Sequence, residues 1–150
     1  NLYRNIEWPV VVMLAAMIPV GQALETSGIS LNIANFISSS TAGMAMPWLI
    51  LMVLVITMFV SDIVNNAATA VIMAPIAANL AIQVGQPVEP FLMAVAVGAS
   101  CAFLSPIGHQ CNTLVMAPGN YKFGDYWRLG LPLECVIVAI SIPMILFVWT

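Results

Sequence analysis

Residues 48–84 carry two apolar runs that meet at Ser61-Asp62-Ile63-Val64-Asn65-Asn66, with no glycine, proline or basic residue at the junction. The first run, WLILMVLVITMFV (48–60), has Thr57 as its one polar side chain, and the second, AATAVIMAPIAANLAIQV (67–84), resumes at once. At 1.5 Å per helical residue the first covers roughly 20 Å, short of the ~30 Å hydrocarbon core of a bilayer. A polar apex between two half-length apolar helices fits a re-entrant hairpin. A membrane tolerates that shape only where the tip is buried in protein or lines a cavity. The alternative is two full spans with Asn65 and Asn66 in the far loop.

The rest of the chain demands the same solvent. Of 150 residues, 62% are hydrophobic and 6% charged, with a mean hydropathy of +1.05; an average soluble domain carries about 25% charged residues. Soluble globular, disordered, collagen-like and nucleic-acid-binding readings fall here. Cys101, Cys111 and Cys135 are odd in number and lie among apolar or small residues, which argues for reduced thiols. The chain opens at Asn1 without Met and closes in an apolar stretch, so it reads as a piece of a longer membrane protein.

The expected fold is an all-α polytopic membrane protein, a single transport-domain fragment of five segments. Residues 8–25 form a span with Pro9 at its start. Residues 29–37 form an interfacial helix, with Ile29, Ile33 and Phe36 on one face and Asn32 and Asn35 opposite. The hairpin follows at 48–84. Residues 90–118 form a discontinuous helix, interrupted at Ser105-Pro106-Ile107-Gly108-His109-Gln110, and residues 131–149 a plain span. Five such stretches suit one half of an inverted-repeat transporter. By parity, Arg4, Lys122 and Arg128 fall on one side, so residues 1–7 and 119–130 are expected in the cytoplasm and the protein in the plasma (bacterial inner) membrane. Residues 122–128 read as an interfacial anchor of aromatic rings with cationic flanks.

Two clusters could carry chemistry. Asn65 and Asn66, with Thr69 below them, offer carboxamide oxygens to a cation and N–H groups to an anion at the start of a helix. The plainer reading is that one asparagine caps that helix. The second cluster is Ser105, Gly108, His109, Asn112 and Thr113. A break at membrane depth frees backbone carbonyls that suit a hard cation such as sodium, and the short helix starting near Asn112 directs its N-terminus inward; the plainer reading is a packed kink. The candidate anion-binding residues are Asn66, Thr69, His109, Asn112 and Thr113, and the candidate sodium positions Asn65, Asn66, Ser105 and Gly108. Asp62 either adds negative charge to the cation site or pairs with a neighbouring amide. Glu25, Glu89 and Glu134 border apolar stretches and read as interface residues.

His109 and Cys111 lack third and fourth ligands for zinc. An aspartyl protease needs two acids where only Asp62 is near the tip, and no Gly-x-Ser-x-Gly elbow occurs. The expectation is no enzyme and no cofactor other than a coupling ion.

SDIVNNAATAVIMAPIA (61–77) and GASCAFLSPIGHQCNTLVMAPGNYKFGDYWRLGLPL (98–133) resemble the C-terminal half of divalent-anion/sodium symporters, citrate-transporter-like members of the ion transporter superfamily. In that family the outer hairpin carries Ser-Asn-Thr, which here falls on Asn65-Asn66-Ala67 with only the central Asn kept. The dicarboxylate members' Pro-x-x-x-Pro-Pro-Asn break aligns on Pro106 and Asn112, with Gln110 and Cys111 in place of the two prolines. The resemblance implies a Gly108 carbonyl on sodium, His109 facing substrate, an elevator-like movement, a homodimer, and the other half of the transporter as partner. The departures argue against a simple succinate or citrate transporter.

The expected function is secondary active transport of a small anion, such as sulfate or a dicarboxylate, coupled to sodium across a lipid bilayer. The alternatives are a proton-coupled porter or exporter using His109 or Asp62, and a passive membrane anchor. Replacing Asn66 or Asn112 is expected to weaken binding more than folding.

Overall fold

The computed structural model describes residues 8–41, 43–106, 108–116 and 118–149; Arg4 and the expected cytoplasmic segment 1–7 lie outside these. The described residues are all helical or irregular, with no strand. The helices are α1 (Trp8–Thr26), α2 (Ile29–Ser40), α3 (Met46–Ile63), α4 (Asn66–Gln83), α5 (Val88–Ser100), α6 (Gln110–Met116) and α7 (Tyr126–Trp149), the last preceded by a 3₁₀ turn at Phe123–Asp125. Among the described residues three stretches are long and apolar enough to cross a membrane: Met46–Ile63, Asn66–Gln83 and Phe123–Trp149.

Local chemistry accounts for the helix ends. Pro47 sits in the first turn of α3, where its missing N–H has no partner to lose. Asn65 caps α4, its Oδ1 accepting from the Ala68 N–H at 2.8 Å. Gly85 takes the left-handed φ of +66° that ends α4, and the Gln86 N–H returns to Ala81 O.

The arms α3 and α4 pack chiefly on α5, which lies between them. Phe91 is fully buried there among Ile50, Leu54, Ala77 and Leu80. Small residues let the backbones close: a Cβ on Gly98 would lie 2.9 Å from both Leu54 O and Thr57 Cβ. Helix α7 runs along the outside of α3 and α5, and most of its surface is left bare by the rest of the chain.

Four boundaries differ from expectation. Helix α3 has 18 residues, about 27 Å at 1.5 Å each, because it begins at Met46 and continues through Ser61 and Asp62. Those polar residues extend the helix since their side chains bond inside the protein. The length of this arm therefore does not itself separate a hairpin from two spans. Helix α5 stops at Ser100, so the break runs from Cys101 to His109 and opens earlier than the Pro/Gly cluster suggested. Helix α7 starts at Tyr126 and takes in half of the aromatic-basic anchor.

Helix α2 shows the fourth difference, running three residues beyond the expected 37 to Ser40. Its buried residues are Ser30 and Ala34, packed towards α4, where Asn79 Nδ2 donates to Ser30 Oγ at 3.3 Å. Ile29, Ile33 and Phe36 face outwards. A helix that presents small residues to protein and large apolar ones to its surroundings is built for a lipid solvent.

Candidate functional site at the hairpin tip

The tip of the α3–α4 hairpin meets the helix break, and side chains join them. Ser61 is fully buried, and its hydroxyl donates to Ala99 O at 2.7 Å. Asn66 satisfies its carboxamide in one orientation, with Nδ2 in reach of Gly108 O (3.2 Å), Ala99 O (3.1 Å) and Ser61 Oγ (3.0 Å). Asp62 Oδ1 accepts from the Leu104 N–H at 3.0 Å, and Asp62 O accepts from Ser105 Oγ at 2.6 Å. Gly108 is buried against this apex, and its own N–H donates to Ser105 Oγ at 3.2 Å.

The other side of the break is closed from α6. Asn112 Nδ2 donates to Ala102 O (3.0 Å) and Ser105 O (3.2 Å), and Thr113 Oγ1 donates to Pro106 O (2.6 Å). His109 starts α6: its carbonyl accepts from the Asn112 N–H at 3.0 Å and its Nδ1 from the Cys111 N–H at 3.2 Å. Tyr126, at the start of α7, reaches back to donate its hydroxyl to Asn112 O at 2.7 Å, and its ring meets Tyr121 edge-on at 6.1 Å.

Asn66, Ser105 and Gly108 are therefore drawn into one cluster, with Asn112 and Thr113 bonded to the same loop. Asn65 stands apart, exposed, with its side chain capping α4. Thr69 lies one turn down α4, fully buried, with its hydroxyl unpartnered. The carbonyls of Ala99, Ala102, Ser105, Pro106 and Gly108 all accept bonds from side chains. Both asparagines act as braces across broken backbone. Removing either leaves carbonyls short of donors, at a cost of about 1–3 kcal/mol.

Three contributors are not among the candidate site residues named from the sequence. Ser61 ties the tip to α5, Tyr126 holds α6, and Glu134 on α7 lines a cleft with Leu104 of the break. Glu134 is half-buried, in the third turn of α7. Among the described residues no group of three or more His, Cys, Asp or Glu could hold a metal ion.

Apolar helices long enough to cross a bilayer, with polar backbone breaks tied together in their midst, define an integral membrane protein. The chain belongs to the citrate transporter family, whose model matches residues 1–98 and 42–150. It is 37% identical over 145 residues to an uncharacterized transporter of Synechocystis, covering 97% of this chain and 24% of that protein. It is 31% identical over 139 residues to sodium/sulfate cotransporter 2 of Chlamydomonas reinhardtii, covering 92% and 16%. It is 30% identical over 144 residues to sodium-dependent high-affinity dicarboxylate transporter 3 of Caenorhabditis elegans, covering 93% and 25%. The chain thus spans a quarter or less of the length of these relatives, and all are named as transporters, not enzymes.

Proposed function

We propose that this chain supplies one ligand-bearing half of a transporter that moves a small divalent anion, sulfate or a dicarboxylate, with sodium as the coupling ion. The observation that carries the reading is the interlock of two broken backbones at one place, through Asn66 to Ala99 and Gly108. The names of the Chlamydomonas and Caenorhabditis relatives supply the substrate class and the ion. Sodium is assigned to the oxygens around Asn65, Asn66, Ser105 and Gly108, and the anion to Asn66, Thr69, His109, Asn112 and Thr113.

In the same reading α3 and α4 form a re-entrant hairpin, α2 lies at the interface, and residues 119–130 face the cytoplasm of the plasma membrane. Support for a re-entrant tip comes from α7. Gly130, four residues into that helix, abuts Phe103 O, and Leu104, bonded to Asp62, shares a cleft with Leu131 and Glu134. The tip is therefore level with a point roughly 6–12 Å inside α7. Tip and break, cross-tied, would travel as one body in an elevator movement against an inverted-repeat partner half, within a homodimer.

The test is uptake of labelled sulfate and succinate by the full-length transporter in proteoliposomes, with sodium replaced by choline at fixed pH. Uptake should fall about tenfold or more in choline. Uptake of either anion that ignores the exchange would sink sodium coupling, and uptake of neither would sink the anion class.

A further inference from the structure

A cavity of about 230 Å³ opens where the loop after α6 turns into α7. Tyr121, Tyr126 and Phe103 give it aromatic sides, and Asp125 gives it a carboxylate. The two tyrosine rings stand 6.1 Å apart and meet at 63°, so they form two walls of a corner and not a stack. Asp125 is half-buried, and its Oδ2 accepts from the Lys122 N–H at 2.8 Å. Among the described residues no basic side chain lines the cavity. An aromatic corner with one negative charge selects an organic cation: the ring faces attract an alkylated ammonium, and the carboxylate balances its charge. Size points the same way. Pockets for drug-sized ligands run to roughly 300–1,000 Å³, so this one takes a single headgroup.

The surroundings indicate where that ammonium comes from. Leu129 and Leu133, one turn apart on α7, line the same cavity and are 78% and 44% exposed. They open it onto the outer face of a helix that the rest of the chain leaves bare. Tyr126 is the first residue of that helix, with exposed Phe123, Trp127 and Arg128 beside it, which is the depth of lipid headgroups. We propose that the cavity binds the ammonium headgroup of a phospholipid, phosphatidylcholine or phosphatidylethanolamine, with an acyl chain lying along Leu129 and Leu133. The lipid bears on the helix break. Tyr126 is the residue that holds Asn112 O, and Gly130 and Phe103, which abut each other, line the same cavity. A bound headgroup thus buttresses α6 from outside the Asn66 cluster.

The test uses the full-length transporter in detergent with neither sodium nor anion, so its outcome is independent of whether uptake is found. Dioleoyl phosphatidylcholine, phosphatidylethanolamine and phosphatidylglycerol are titrated in turn; the last has the same acyl chains and no ammonium. Retained lipid is counted by native mass spectrometry, and melting temperature is followed alongside. The two ammonium lipids should be retained, and should raise melting, at concentrations about fivefold or more below phosphatidylglycerol. Asp125→Asn keeps an oxygen for the Lys122 N–H and removes the charge; Tyr121→Leu removes one wall. Each should erase the preference and leave phosphatidylglycerol binding as it was. An equal response to all three lipids in wild type, or a preference that survives the variants, overturns the site. Wild type that responds to no lipid has the cavity filled by another part of the transporter, and the proposal fails. Either variant can be read alone if the other does not fold.

Discussion

Gly108 approaches the hairpin tip so closely that a methyl group on its Cα would lie 2.8 Å from Ser61 O and 3.1 Å from Asp62 Cα. Both neighbours are backbone atoms and cannot rotate away. Gly108→Ala should therefore cost about 1–3 kcal/mol through overpacking, read as a lower melting temperature of the full-length protein in detergent. Sodium-dependent uptake should fall with it. An unchanged melting temperature would mean that tip and break are not in contact.

Adjacent asparagines should behave differently. Asn65→Ala removes a helix cap, at about 1 kcal/mol of stability, together with one oxygen assigned to sodium, so sodium-dependent binding should weaken, but less than in Asn66→Ala. Asn66→Ala takes the donor from Gly108 O and should both destabilise the protein by about 1–3 kcal/mol and weaken sodium-dependent binding about tenfold or more. Paired melting and binding measurements decide; equal affinities in the two variants would return Asn66 to a structural role.

Tyr126→Phe deletes a single hydroxyl, the one that holds Asn112 O at 2.7 Å. The loss should be about 0.5–1.5 kcal/mol, and it should appear locally, as faster amide hydrogen exchange in residues 110–116. Exchange that is unchanged there but faster in α7 would place the tyrosine in α7 packing instead.

A cysteine at Val64, in a protein freed of Cys101, Cys111 and Cys135, tests the topology. A re-entrant tip should react with small permeant reagents and be shielded by sodium or anion. It should resist a bulky impermeant reagent from the cytoplasm when the transporter is locked outward-facing. Full cytoplasmic labelling in every state would instead show two complete spans.

The polar junction at 61–66 was legible because an apolar segment has few reasons to carry such residues without a turn-former beside them. The break was legible from Pro106 and Gly108, but its early start at Cys101 was not. Gly98 is the one weak helix former in AVAVGASCAFL; the chain leaves the helix where Ser61 and Asn66 are placed to donate to the Ala99 carbonyl. Such pairings are long-range: Ser61 and Ala99 are 38 residues apart, Asp62 and Leu104 42. The place of Glu134 near the start of an apolar stretch suggested an interface, and no periodicity in α7 says that it shares a cleft with Leu104. For Asn66 and Asn112, residue type indicated polar work at a break but could not separate binding a ligand from bracing carbonyls.

The wedging of α5 between the two arms has a consequence for how the chain is made. Phe91, Ala94 and Val95 supply the surface on which α3 and α4 settle, yet they leave the ribosome after both arms. Until they arrive, the hairpin has no interior of its own, and its Ser61 and Asn66 side chains face no Ala99 carbonyl. Chains halted before residue 100 should be held by the insertion machinery or degraded. Membrane integration of this region is thus set by the helix that is made after both arms.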